Sequence, residues 1–131
     1  MYSNKDISIV INTFNSEDQI YSCLDKIDSE VKVIIVENSN NKKFKQELQL
    51  KYSNVDCELV NDNLGYGRGN NLGLKKVKTK FALILNPDAK LSHDTLKNFF
   101  KTASILDDFA IIGPGIQEQS DKSKKKLFDK S

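Results

Sequence analysis

Residues 63–89 read NLGYGRGNNLGLKKVKTKFALILNPDA, and three kinds of segment follow one another within them. Asn61–Asn71, which leads into this stretch, is dense in glycine and asparagine, residues that supply turns and positive φ, so it reads as a loop. Leu72, Leu74 and Val77 then mark a short helix. Phe81–Leu85 is apolar at every position, which predicts a strand covered on both faces and central in its sheet. It stops at Asn86-Pro87-Asp88. A helix feeding a fully buried strand is the second half of a crossover unit, the connection a parallel sheet requires.

The flanks repeat the alternation. Ile7-Ser8-Ile9-Val10-Ile11 is a β-branched run ending at Asn12-Thr13-Phe14-Asn15 and predicts a buried first strand. Ser16 with Gln19 has the spacing of a capping box, and Ile20, Cys23, Leu24 and Ile27 form a helical stripe behind it. Val31–Val36 predicts a second strand, broken by the polar Glu37–Asn41 cluster. Phe44 and Leu48 mark a charged helix running to about Tyr52, and Val55–Val60 is a weaker third strand. Beyond residue 89, Ser92 is a candidate N-cap for a helix through Leu96, Phe99, Phe100 and Ala103. Phe109–Ile112 is a fifth strand, closed by Gly113-Pro114-Gly115. Strands alternating with helices predict an α/β domain, an α/β/α sandwich around a mostly parallel sheet with right-handed crossovers. Residues 1–116 are expected to form this domain and the polar 117–131 a tail.

Composition narrows the function. The 131 residues suit one domain, and 38% hydrophobic with 29% charged residues describes an ordinary globular chain. Twenty basic and 18 acidic residues leave a net charge of +2, so no global field points to nucleic acid. The apolar runs are too short to span a bilayer. MYSNKD lacks the layout of a secretion signal, which predicts a cytoplasmic location, near a membrane if the substrate is lipid-linked. Cys23 and Cys57 fit no metal spacing and read as small core hydrophobes.

In a sheet of this kind ligands sit beyond the carboxyl ends of the strands. Thr13 and Asn15 follow the first strand, Glu37 and Asn38 the second, the glycine segment the third, and Asn86-Pro87-Asp88 the fourth. Asp88, delivered by a rigid proline turn, suits a divalent cation whose other sites are filled by phosphate and water; the same residues also suit a plain turn closed by Asp88 on nearby amides. Gly65, Gly67 and Gly69 permit close approach of backbone to a phosphate, and Arg68 can pair with one. They match neither a dinucleotide fingerprint nor a P-loop, and a flexible connection accounts for them as well. Glu37 can bond a ribose hydroxyl or a base N–H, or stand solvated in its loop. Thr13 and Asn15 are ambiguous in the same way, since Asn15-Ser16 also serves as a helix start.

Taken together, the strand ending in Thr13-Phe14-Asn15, the Glu37-Asn38-Ser39 turn, Asn63-Leu64-Gly65 with Asn70-Asn71-Leu72-Gly73, and Leu85-Asn86-Pro87-Asp88-Ala89 resemble family 2 glycosyltransferases, in particular the rhamnosyltransferase-like branch. The similarity runs from about Ile7 to Gln117. It implies the GT-A fold, Rossmann-like, and inverting transfer of a sugar from a nucleotide-diphosphate donor to an acceptor hydroxyl, saccharide or lipid-linked. By this resemblance Thr13 and Asn15 lie near the base and ribose, with Glu37 in place of the usual Asp and Asn38 beside it. Asn63, Gly65, Arg68 and Asn70 border the diphosphate. Asn86-Pro87-Asp88 stands for the Asp-x-Asp motif, with Asp88 the retained ligand to Mg²⁺ or Mn²⁺.

The resemblance also implies an acceptor site and a general base C-terminal to the donor part. No residue here is matched to that base: Glu118 and Asp121 lie in the polar tail. The expectation is therefore a donor-binding part, with a non-catalytic nucleotide-sugar-binding module as the competing reading. A nucleotidyltransferase or flavodoxin-like domain is disfavoured; the former would want a basic phosphate-binding signature near the first strand, and Thr13-Phe14-Asn15-Ser16 contains no Lys or Arg. A shortened sheet would expose apolar surface, which favours association of copies.

Overall fold

The computed structural model describes residues 2–103 and 111–112. Five strands, Ile7–Thr13 (β1), Lys32–Glu37 (β2), Val55–Leu59 (β3), Phe81–Leu85 (β4) and Ile111–Ile112 (β5), form one sheet in the order β3-β2-β1-β4-β5. Every pairing is parallel. Four helices are interposed: Glu17–Asp25 (α1), Lys42–Lys51 (α2), Gly65–Lys75 (α3) and His93–Ala103 (α4). The order runs outward from β1 in one direction and restarts at β4 in the other, so the topological switch lies between β1 and β4. The domain boundary at 116, the 117–131 tail and the start of the fifth strand at Phe109 fall outside the described residues.

Strand alternation divides the core. Ile9, Ile11, Val33, Ile35, Leu83 and Leu85 face one side, where α1, α2 and α4 add Ile20, Leu24, Phe44, Leu48, Leu96 and Phe100. Val10, Ile34, Ala82 and Ile84 face the other, where Leu74 of α3 and Val77 just beyond its end complete the cluster among the described residues. With side chains buried on both faces, β1, β2 and β4 have to read as near-continuous apolar runs. No described helix is long and apolar enough to cross a membrane.

Two local expectations are corrected. Only the first residues of the glycine segment, Asn61 to Leu64, are loop: α3 begins at Gly65, despite the roughly 1 kcal/mol that each glycine costs a helix interior. Tertiary packing overrides that propensity. A Cβ on Gly69 would overlap the Asn12 carboxamide, and one on Gly73 would overlap Val10 Cγ1. Four residues apart, these two glycines let α3 lie directly on β1. Ser16 precedes α1, but its side chain makes no cap bond. Its Oγ instead donates to Phe14 O at 3.2 Å and accepts from Phe14 N at 3.3 Å, so the box with Gln19 does not form. Ser92 does act at the start of α4, its Oγ accepting Thr95 N–H at 3.2 Å. Both cysteines are free and buried, as expected of core positions.

Candidate functional site at the carboxyl edge of the sheet

Parallel register brings the predicted residues to one edge. Thr13 stands opposite Glu37, Glu37 opposite Leu59, and Ile11 opposite Leu85, one residue before Asn86. Because α3 runs antiparallel to β1, its first turn lies at this edge too. Glu37, the start of α3 and Asp88 therefore border the same end of the molecule. The two cavities described, of about 440 and 410 Å³, lie at the amino end, around Lys5. It is strand-end chemistry, not concavity, that singles out the carboxyl edge.

The residues there form a buried frame and an exposed rim. Glu37 is fully buried. Its carboxylate accepts Thr13 Oγ1 at 3.1 Å, Ser39 Oγ at 2.7 Å, Ser39 N at 3.0 Å and Asn41 N at 3.1 Å. The expectation of an outward carboxylate that bonds a ribose or base is thus altered. In this conformation Glu37 and the equally buried Thr13 fix the shape of the β2–α2 turn, because a buried charge is tolerable only when its oxygens are filled by donors. Asn38 is also buried. Its Nδ2 donates to Thr13 O at 2.9 Å, Val36 O at 3.2 Å and Asn12 Oδ1, while its Oδ1 accepts Leu64 N at 2.9 Å. Asn12 Nδ2 in turn donates to Gly65 O at 3.1 Å.

Asn12 and Asn38 together tie the ends of β1 and β2 to the entry of α3. Asn12 was absent from the sequence-derived set. The signal for it is its phase: it lies two residues after Val10, on the strand face that Ser8 and Val10 share and that is buried against α3. Asn41, which caps α2 by accepting Phe44 N at 3.0 Å, was likewise visible only as part of a polar cluster.

The rim is open to solvent. Asn15 is exposed and holds φ 52°, a conformation asparagine tolerates better than most residues. Asn63, Gly65, Tyr66, Gly67 and Arg68 are all exposed. Gly65 adopts φ +79°, and its N–H is taken by Asn63 Oδ1 at 3.0 Å. The next two amides, of Tyr66 and Gly67, have no intrahelical acceptor and project from the positive end of the α3 dipole. Such a terminus suits an anion, and Arg68 makes no ion pair among the described residues. Asn70, by contrast, is buried.

Asn86 and Asp88 are exposed at the end of β4. Ala89 N–H donates to Asn86 O at 3.0 Å, closing a turn with Pro87 at its second position, where a fixed φ is favourable. The turn expected from the sequence is present, yet it leaves the Asp88 carboxylate unspent. The Cys23 thiol, whose Sγ lies 3.9 Å from Asn86 O, is pushed up to about 11, first by burial and then by the charge of Asp88. No group of three or more His, Cys, Asp or Glu able to hold a metal occurs among the described residues. A single exposed carboxylate still fits Mg²⁺ or Mn²⁺, which take one or two protein carboxylates and complete their shells with phosphate oxygens and water.

Comparison with known proteins bears on the family and the fold. The family described as glycosyl transferase family 2 matches residues 8–129. The low-salt glycan biosynthesis hexosyltransferase Agl10 of Haloferax volcanii is 27% identical over 117 residues, covering 85% of this chain and 36% of that protein. A crystal structure of S. aureus TarS 1-349 superposes with TM-score 0.65 at 23% identity, over 76% of this chain and 32% of that one. The mannosyltransferase PcManGT of Pyrobaculum calidifontis, solved with GDP-Man and Mn²⁺, gives 0.67 at 17% identity over 76% and 32%. The fold is thus that of GT-A glycosyltransferases. The chain spans about a third of the length of these relatives.

Proposed function

Because this chain belongs to glycosyl transferase family 2, we propose that its carboxyl edge binds the nucleotide-diphosphate sugar of an inverting sugar transfer. The observation that carries the reading is the unpaired, exposed Asp88 carboxylate at the same sheet edge as the open amides of α3. One end supplies a cation ligand and the other supplies N–H donors for anionic oxygens. A diphosphate needs both.

In this reading Asn15 lies beside the base and ribose on a frame held by Thr13, Glu37 and Asn38. Asn63 shapes the turn that presents Gly65, Tyr66 and Gly67 to the diphosphate, and Arg68 adds a mobile positive charge. Asp88, with Asn86 next to it, would hold Mg²⁺ or Mn²⁺. When bound, the cation neutralises charge that develops on the departing nucleoside diphosphate. The acceptor hydroxyl, of a saccharide or lipid-linked saccharide, attacks the anomeric carbon from the face opposite the leaving group; its proton passes to a base that no residue of this chain is assigned to be. The Asn63–Ala89 segment supports the rhamnosyltransferase-like branch, and a cytoplasmic setting suits a nucleotide-sugar donor.

A calorimetric screen of UDP-, GDP- and dTDP-sugars, each with and without Mn²⁺, tests the proposal. One nucleotide series should bind, and more tightly with Mn²⁺. Silence across the whole panel would sink it.

A further inference from the structure

Asn70 is 3% exposed, and neither its Oδ1 nor its Nδ2 has a hydrogen-bond partner. Among the described residues these are the only buried side-chain polar atoms left unmet. Folded proteins rarely leave a buried amide wholly unpaired, and an exception calls for a missing partner. Its position says where that partner would lie. Asn70 is next to Gly69, which seats on Asn12, and it is one turn ahead of Leu74, which packs with Val10, Ala82 and Ile84. It therefore faces the sheet at the level where β1 reaches Asn12 and β4 passes into Asn86, at the topological switch.

The chemistry of the vacant amide narrows the partner further. Nδ2 offers two donors and Oδ1 two acceptor sites. Phosphate oxygens accept only; they could satisfy Nδ2 but would set negative charge against Oδ1. A hydroxyl both donates and accepts, so a hydroxyl pair can fill both atoms. Resting on the nucleotide-sugar reading above, we infer that Asn70 contacts the neutral, hydroxyl-bearing part of the donor and not its diphosphate. This separates Asn70 from Asn63, Gly65 and Arg68, with which the family resemblance groups it. Gly65 and Gly67, in the first turn of α3, present no side chain and have open space around them, so this turn is where a ligand would approach Asn70.

The test compares the full chain with its Asn70→Leu and Asn70→Ala variants by calorimetry in Mn²⁺. Three probes are used: inorganic pyrophosphate, the nucleoside diphosphate of whichever series the unsubstituted chain retains, and the matching sugar nucleotide. Pyrophosphate affinity should hold within about twofold while sugar-nucleotide affinity falls at least about tenfold in both variants. A fall confined to the sugar nucleotide assigns the transferred sugar's hydroxyls; an equal fall for the nucleoside diphosphate assigns those of the ribose. The thermal midpoint of Asn70→Leu should stay level or rise, since two unmet polar atoms are removed. An equal loss for pyrophosphate, no loss for any probe, or a lowered midpoint in Asn70→Leu overturns the inference. Failure of the unsubstituted chain to bind any probe is a separate result, which removes the donor-site reading and this inference with it.

Discussion

Asn38 Oδ1 accepts the backbone N–H of Leu64 at 2.9 Å across 26 positions of sequence, so the end of β2 holds the entry of α3. The same side chain also ties Thr13 O and Val36 O. Asn38→Leu should strand several buried partners at once, at about 1–3 kcal/mol for each unmet group. A urea titration should show a clearly lowered midpoint with little change in slope. A midpoint within error of the parent would mean that this link contributes nothing to the fold.

The glycines of α3 should respond in opposite directions. At Gly69 a methyl group must displace the Asn12 carboxamide, and at Gly73 it must displace Val10. Either alanine variant is expected to lose about 1–3 kcal/mol by overpacking. Gly67 has nothing within 4 Å of an added Cβ, so Gly67→Ala should gain about 0.5–1 kcal/mol from the helix preference alone. Thermal melts of the three variants decide this; equal effects at 67 and 69 would contradict the packing described.

Asp88 should govern metal-dependent binding without governing stability. Its carboxylate is exposed and bonded to nothing among the described residues. Asp88→Ala is expected to leave the thermal midpoint within about 0.5 kcal/mol of the parent, as exposed substitutions usually do. The same variant should abolish the Mn²⁺-dependent part of nucleotide binding. Unchanged affinity in Mn²⁺ would remove the residue from the cation site.

Stability should decline above pH 9. Burial first, then the charge of Asp88, pushes the Cys23 thiol from 9.0 up to about 11. Burial first, then Glu37, pushes that of Cys57 to about 12. Tyr52 is raised too, by burial and by its 2.7 Å bond to Asp25. Well below pH 9 both thiols are protonated whether the chain is folded or not, and their contribution is fully present. Between pH 9 and 12 the unfolded chain releases protons that the folded chain retains, so stability falls. Thermal midpoints under reducing conditions at pH 8 and 10.5 should differ more in the parent than in a Cys23→Ala/Cys57→Ala variant. Equal differences would show that the thiols are not responsible.

Hydrophobic periodicity alone determined that this chain makes a parallel α/β sheet. Val33–Val36 and Phe81–Leu85 are apolar on both strand faces, and Ile7–Ile11 is so apart from Ser8; only a sheet covered on both sides accepts such runs. It also determined that polar residues gather at the strand ends, since a buried strand must stop where polarity begins. What only the tertiary structure decided is which of those polar groups face inward. Glu37 and Asn38 look like solvated loop residues until the β1–β2 register supplies Thr13 as their partner. The glycine segment looks like a loop because local propensity counts glycine against a helix, whereas the deciding term is the fit of Gly69 and Gly73 over Asn12 and Val10, residues some sixty positions earlier in the chain. Contacts at that separation have no local signature, so the unmet Asn70 amide could be seen only once the helix was laid on its sheet.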